Sequence, residues 1–404
     1  MRGNEFLDKM ELIQPAYVEA ADIKITKKKH FIVKWGAVAA CIALMVFAGI
    51  RFYPQAGSEP APGLPMLTIS DDLAGRGYEG YMANNISEII NANPWKKSSK
   101  ISFLPVYENV LSYDENFIAW GADVDKMREL LLDVAHRLGI DTNNVIITDN
   151  SPDEQTKQMM TEKLENGGGT VPEGYFDPTA LTIKTDEMEI QVDQSMTATV
   201  FFDPPVSLPE KYNFNHYAPR KDIAAVAEYL KKEYSEFIGI ENPQINIYGG
   251  DYTIYGEQGY SIGFFDDRGN AIEQIINYNF NRVTFHCDDN GDLFIARIYQ
   301  PDLSKKLGDY PIISVKQAEE LLLNGNYITS VPYEVEQAKY IKKVELIYRA
   351  GNYDEVFMPY YRFYVELPEE KRDVGLKTYG AYYVPAVESS YISNMPKAAI
   401  SFNK

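Results

Sequence analysis

The stretch that most restricts this chain is Trp35–Ile50, WGAVAACIALMVFAGI, sixteen residues without a charge. At about 1.5 Å per residue it reaches roughly 24 Å, short of a hydrocarbon core of roughly 30 Å. Extended to Phe31–Tyr53, it reaches roughly 34 Å and is long enough to span. The extension takes in Lys34 and Arg51, whose long stems can snorkel their charges to the two interfaces. Trp35 and Tyr53 then fall where amphipathic rings settle. A buried core helix would account for neither the lysines before the run nor the prolines after it.

Charge sets the orientation. Lys24, Lys27, Lys28, Lys29 and Lys34 precede the run and Arg51 alone follows closely, so the N-terminus is expected in the cytoplasm. The topogenic residues are therefore Lys27, Lys28, Lys29, Lys34, Trp35 and Arg51. A cleaved signal peptide fits poorly, because the region before the run is too long and no good small-x-small site follows it. Val38-Ala39-Ala40-Cys41 looks like a lipoprotein box but lies early in the run, so Cys41 reads as a cysteine within a membrane helix.

The remainder is strongly acidic. The chain carries a net charge of −19, with +2 in residues 1–34 and −21 beyond them. Such a domain does not bind nucleic acid without a local basic patch, and none is visible outside the lysine run. Topology explains that run, with attraction to anionic lipid as a secondary contribution. Thirty tyrosines against three tryptophans suit strands with one wet and one packed face, so the exterior domain is expected to be sheet-rich. Cys287 is the one cysteine outside the span, which forbids an intramolecular disulfide there and suggests a Gram-positive bacterial surface.

Along the chain, residues 1–30 form a short cytoplasmic segment with Phe6, Leu7, Met10 and Ile13 at helical spacing. Residues 31–53 are the anchor, and 54–66, with four prolines, an extended stalk. Residues 67–121 stay unassigned apart from a short helix near Ile86–Ile90 and a strand at Ile101–Val106. Three α+β units follow, at 122–210, 211–300 and 301–404, each a helix and then strands. The first helix face is Val124, Met127, Leu130, Leu131, Val134 and Leu138, capped by Asp123 and ended by Gly139. The second is Ile223, Val226, Leu230, Tyr234 and Phe237, with strands including Tyr260–Phe265 and Ile272–His286. LGIDTNNVIIT (138–148) and IGIENPQINIY (238–248) look like counterparts, which marks internal repetition. The third opens on a capping box, Ser314 to Gln317, and contains a strand in which Tyr361, Phe363 and Val365 alternate with Tyr360, Arg362 and Tyr364, read as half-buried.

Residues 220–390, above all YPIISVKQAEELLLNG and MPYYRFYVELPEE, resemble the PepSY-like repeats of exported Firmicute proteins, among them membrane-anchored regulators of a cell-wall sensor kinase. EFLDKMELIQPAYVEAAD resembles the cytoplasmic leader of single-pass proteins, some of them anti-sigma-like. The resemblance implies a non-enzymatic ectodomain that modulates a membrane or envelope partner, such as a sensor kinase or a sigma-factor system protein. The expected fold class is α+β, with a single N-terminal transmembrane helix followed by repeated helix-plus-antiparallel-sheet units. The expected location is the cell membrane, with the C-terminal domain extracytoplasmic.

Chemical motifs are sparse. His286-Cys287-Asp288-Asp289-Asn290-Gly291-Asp292 lacks calcium-loop spacing and reads as a hairpin turn on Asn290-Gly291. His30, His136, His216 and His286 lack the spacing of a helical zinc site. No G-x-S-x-G, S-x-x-K or Walker motif occurs in the ectodomain, and Gly167–Gly169 reads as a loop. No catalytic residue, metal site or cofactor is expected. Two alternatives stand beside the regulatory reading: an exported hydrolase using two facing carboxylates, and a passive envelope structural protein.

Overall fold

Residue by residue, the computed structural model describes 63–70, 78–113, 119–351, 353–370 and 375–398. The anchor 31–53, the cytoplasmic segment, most of the stalk and all six topogenic residues lie outside the described residues. Among the described residues, no helix is long and apolar enough to cross a membrane. The described fold is α+β and almost wholly antiparallel.

In chain order the elements begin with β1 (Gly80–Ala83), β2 (Phe103–Glu108) and a small ribbon of β3 (Ser112–Tyr113) and β4 (Ala119–Trp120). Helix α1 (Val124–Arg137), β5 (Ile147–Asp149), α2 (Glu154–Asn166), β6 (Ala180–Lys184), β7 (Met188–Asp193) and β8 (Thr197–Val206) follow. Then come α3 (Arg220–Glu233), α4 (Ser235–Ile238), β9 (Gln244–Tyr252), β10 (Gln258–Phe265), α5 (Ala271–Phe280), β11 (Arg282–Cys287) and β12 (Leu293–Tyr299). The last group is β13 (Lys306–Pro311), α6 (Val315–Leu323), β14 (Ile341–Arg349), β15 (Val356–Glu366) and β16 (Lys377–Pro385).

Two sheets organise these elements. The first has eight strands in the order β5-β6-β7-β8-β12-β11-β10-β9. Its two halves run helix, then four strands, and meet through their final strands, β8 and β12. They differ in where an extra helix enters: α2 follows the first strand of one half, and α5 the second strand of the other. Helices α1, α3 and α4 cover one face. Met127, Leu131 and Val134 of α1, with Ile223, Val226 and Leu230 of α3, pack on inward strand residues such as Ile190, Val200, Ala296 and Phe285. The starts are local: Asp123 accepts from the Lys126 backbone N–H at 3.0 Å, and Gly139 ends α1 at φ +78°, a conformation glycine adopts without strain.

The second sheet runs β1-β16-β15-β2-β13, with β14 beside β15. Residues 301–398 therefore do not close a sheet alone, because β2, from the stretch left unassigned, stands between β15 and β13. Helix α6 has the expected capping box: Gln317 N–H donates to Ser314 Oγ at 3.3 Å, and Ser314 N–H to Gln317 Oε1 at 2.9 Å.

Three readings of the sequence need correcting. Ile272–His286 is not one strand; α5 occupies Ala271–Phe280 before β11 starts. Asn270 caps this helix in a box with Glu273, which satisfies the first backbone donors and fixes the helical start. The first unit, read as one helix and then strands, holds a second helix: α2, capped by Asp153 and without a fully buried residue, lacks the apolar stripe that marks a core helix. Strand β15 is buried on both faces: Tyr361, Phe363 and Val365 face one core, while Met358, Tyr360 and Tyr364 are covered on the other side.

Helix α5 belongs to the first sheet by sequence and to the second by packing. Phe280, fully buried, meets the rings of Tyr348 at 5.0 Å and Phe357 at 5.9 Å. Burying that side chain contributes about 1.5–3 kcal/mol. Asn279 Oδ1 accepts from Tyr348 N–H at 3.0 Å, and Asn93 Nδ2 donates to Leu346 C=O at 3.0 Å. These two asparagines occupy backbone groups on the free edge of β14, which would otherwise offer a template for another strand.

Candidate binding cleft

Where the sheets meet, a cleft of ≈ 630 Å³ opens between β9–β11, residues 89–91 and one face of β15. Its wall from the first sheet comes from residues facing away from the helices, among them Asn246, Tyr248, Ser261 and Thr284. Residues Ile89–Asn91 form a second wall. Ile90 N–H donates to Gly249 C=O at 2.9 Å, Gly249 N–H returns to Ile90 C=O at 3.2 Å, and Ala92 N–H donates to Asn246 Oδ1 at 2.8 Å. Gly250, at φ +95°, makes the approach possible, since a Cβ there would overlap the Glu88 carbonyl.

The floor is a buried charge network. Glu345, 4% exposed, lies opposite Arg362 in the β14–β15 register. Its Oε2 accepts from Arg362 Nη2 at 2.5 Å and Nε at 3.2 Å, and from Tyr364 Oη at 3.3 Å. Its Oε1 accepts from Asn91 Nδ2 and Lys343 Nζ, both at 2.7 Å. Burial alone would raise the Glu345 carboxyl, but the charges of Arg362 and Lys343, with their hydrogen bonds, hold it down to about 2. Two cations thus share one carboxylate, and the cluster keeps one positive charge.

Tyrosines line much of the rest, including Tyr81, Tyr217, Tyr260, Tyr278 and Tyr364. Burial pushes the Tyr278 hydroxyl up to about 12 and raises that of Tyr364 further, so both remain protonated donors at neutral pH. Arg282 brings a second lining guanidinium, 4.9 Å from the Tyr299 ring. Asp251 is the single carboxylate among the lining residues, and burial raises its pKa. A hydrolase with two facing carboxylates would need a second lining acid, and Glu345 beneath the floor is engaged by its cations.

Elsewhere, the candidates settle into structural roles. Asp288 Oδ1 accepts from the backbone N–H groups of Asn290 and Asp292, both at 2.9 Å, so the acidic run is the β11–β12 turn. Cys287, 7% exposed, ends β11, and burial pushes its thiol up to about 11. Gly167 caps α2. Among the described residues, no group of three or more His, Cys, Asp or Glu could hold a metal ion. His30 lies outside the described residues and His136 is exposed on α1. Burial, then the charges of Arg297 and His216, lowers the pKa of His286.

No motif or period in the sequence pointed to this cleft. Its nearest signal was the pairing of tyrosine with arginine along β15, an unusual content for a face meant for water. A scan against protein-family models and a search of curated proteins return no match to this chain.

Proposed function

We propose that the protein is a membrane-anchored, extracytoplasmic binding and regulatory protein, whose intersheet cleft holds an envelope ligand and whose anchor couples that occupancy to a membrane or cytoplasmic partner. The observation that carries this reading is the cleft: a polar, tyrosine-walled cavity over a fully engaged charge network, in the size range of small-molecule sites. Its residues are suited to holding a ligand in one orientation. The lysine-flanked run at 31–53 supports the anchor, and the PepSY-like sequence character of 220–390 supports a modulatory role beside a sensor kinase or a sigma-factor system protein.

The test uses the full chain. In cells, the protein should resist alkaline extraction from membranes and lose its C-terminal part to external protease. Deleting residues 1–30 should change the output of the partner system. Arg282→Ala, at an exposed position lining the cleft, should abolish the response to envelope material while protein level stays constant. A chain extracted by alkali, or one whose output ignores both changes, would overturn the reading.

A further inference from the structure

Arg282 and Asp251 line the same cleft but stand at its opposite ends. Arg282 opens β11 beside Val283, and the register runs from Val283 through Phe264 of β10 to Ile245 of β9. From the level of Arg282, Asp251 lies about seven residues along β9, roughly 23 Å at about 3.3 Å per residue. Strand twist turns β9 about the cross-strand axis, and Arg282 lies near that axis, so twist changes this separation little. The bulge opposite Gln258 and Tyr260 shortens it slightly. Less the reach of the two side chains, roughly 15–20 Å separates the charged groups, the span of an extended peptide of about five residues. Among the described residues neither Arg282 nor the half-buried Asp251 makes an ion pair. Arg362, by contrast, is committed to Glu345 through Nε and Nη2.

Between these ends the wall keeps polar groups in reserve. Asn246 is 8% exposed; its Oδ1 accepts from the Ala92 N–H, and its Nδ2 has no partner among the described residues. The hydroxyls of Ser261, Tyr248 and Tyr278, which also line the cleft, have none there either. A buried donor left unmatched costs free energy, so a guest that accepts from it gains by doing so. Asn246 lies opposite Gly263, and Tyr248 opposite Ser261, which places the four on one patch of β9 and β10. Gly263 has an ordinary φ, and a Cβ there would meet Val283 C=O, Thr284 Cγ2 and Tyr248 Cε1 at 3.4–3.6 Å, normal contact distances. Neither backbone nor packing calls for glycine at this position. Its bare Cα leaves a low point in the wall where another backbone can pass closely.

Resting on the cleft reading above, we infer that the ligand is a short extended peptide with both ends free, its carboxylate on Arg282, its ammonium group on Asp251 and its backbone over Gly263. The guanidinium holds the carboxylate through two parallel hydrogen bonds, and Asp251 gains the cation it lacks. Asn246 Nδ2 donates to a peptide carbonyl, while the hydroxyls of Ser261 and Tyr248, which donate or accept, take neighbouring main-chain groups. A neutral sugar chain offers nothing to either charge, and a lone anion uses one end of the cleft only. Clamping both ends selects for length and for free termini more than for side-chain sequence.

The test is calorimetric titration of the full-length protein in lipid nanodiscs with alanine peptides from trimer to octamer. Each is used with free ends, with the amino end acetylated and with the carboxyl end amidated; inorganic phosphate probes for a simple anion site. The free pentamer should bind at least about tenfold more tightly than the trimer, the octamer and either capped pentamer. Arg282→Ala should erase the penalty of amidation and keep that of acetylation, and Asp251→Asn should do the reverse. Gly263→Val should keep the thermal stability of the native chain and lose the pentamer. Affinity independent of length, indifference to either cap, cap penalties that survive both charge variants, or phosphate binding equal to the pentamer's would overturn the peptide assignment. If every peptide fails while Arg282→Ala still removes the cellular response to envelope material, the peptide falls and the cleft reading stands. If Arg282→Ala changes neither, both fall.

Discussion

Glu345 and Arg362 face each other across β14 and β15 at 2.5 Å between Oε2 and Nη2, and each also serves the cleft floor. Glu345→Gln removes the one negative charge that Lys343 and Arg362 share. A buried pair broken from one side costs about 3–5 kcal/mol, because the remaining charge stays uncompensated. Urea denaturation of the variant at neutral pH should show a loss of that order.

The same carboxyl makes the fold acid-sensitive. It titrates at about 2 in the folded protein against 4.5 ordinarily, so the unfolded chain takes up the proton first as pH falls. The stabilisation is present in full above about pH 5 and is withdrawn between pH 4.5 and 2, by roughly 3 kcal/mol in all. Denaturation midpoints measured across this range should fall for the native chain and show a shallower slope in Glu345→Gln.

Gly250→Ala should damage the cleft through the backbone. With φ at +95° and the Glu88 carbonyl in the way, an alanine must strain its own residue and push residues 84–93 outward. A loss of at least about 2 kcal/mol is expected. Hydrogen exchange at the Ile90 and Gly249 amides, which donate across the contact, should accelerate more than exchange in β14–β16.

Ser314→Ala removes half of the α6 capping box and should cost about 0.5–2 kcal/mol by chemical denaturation. Gln317→Ala should cost a comparable or smaller amount, since its side chain holds the reciprocal bond to the Ser314 N–H.

The Cys287 thiol should be inert. In a Cys41→Ser background it is the one remaining cysteine, buried and pushed up to about 11. Maleimide labelling at pH 7 should proceed only after denaturation. Rapid labelling of the folded protein would indicate an accessible thiolate.

These elements differ in how visible they were in the sequence. Helix α1 was legible because its apolar residues keep a helical period and Asp123 and Gly139 bracket them. The Ser314–Gln317 box and the Asn290-Gly291 hairpin are signals spread over a few residues, and local chemistry decides them. Helix α5 was hidden because Ile272, Ile275, Ile276, Tyr278 and Phe280 are β-branched or aromatic, which masked the helical spacing of Ile272, Ile275, Ile276 and Phe280 and the cap at Asn270. The cleft was not legible at all. Tyr81, Asn91, Asn246, Arg282, Glu345 and Arg362 come from five distant stretches, and no period or spacing links them. Arg362 looked like the wet side of its strand because the sequence does not reveal that Tyr81, Asn91 and Lys343 gather on that side.

The way the eight-stranded sheet is closed has a consequence for how such a chain could have arisen. Each half ends in a long strand, β8 or β12, whose outer edge is satisfied by the other half. A chain carrying one half alone would present that edge bare, and its simplest remedy is a second copy of itself, paired edge to edge about a two-fold axis. Tandem duplication of such a gene would place both partners on one polypeptide, leaving each free to diverge. The two halves do differ in this way: the cleft's Tyr248, Gly249, Tyr260 and Gly263 lie on β9 and β10.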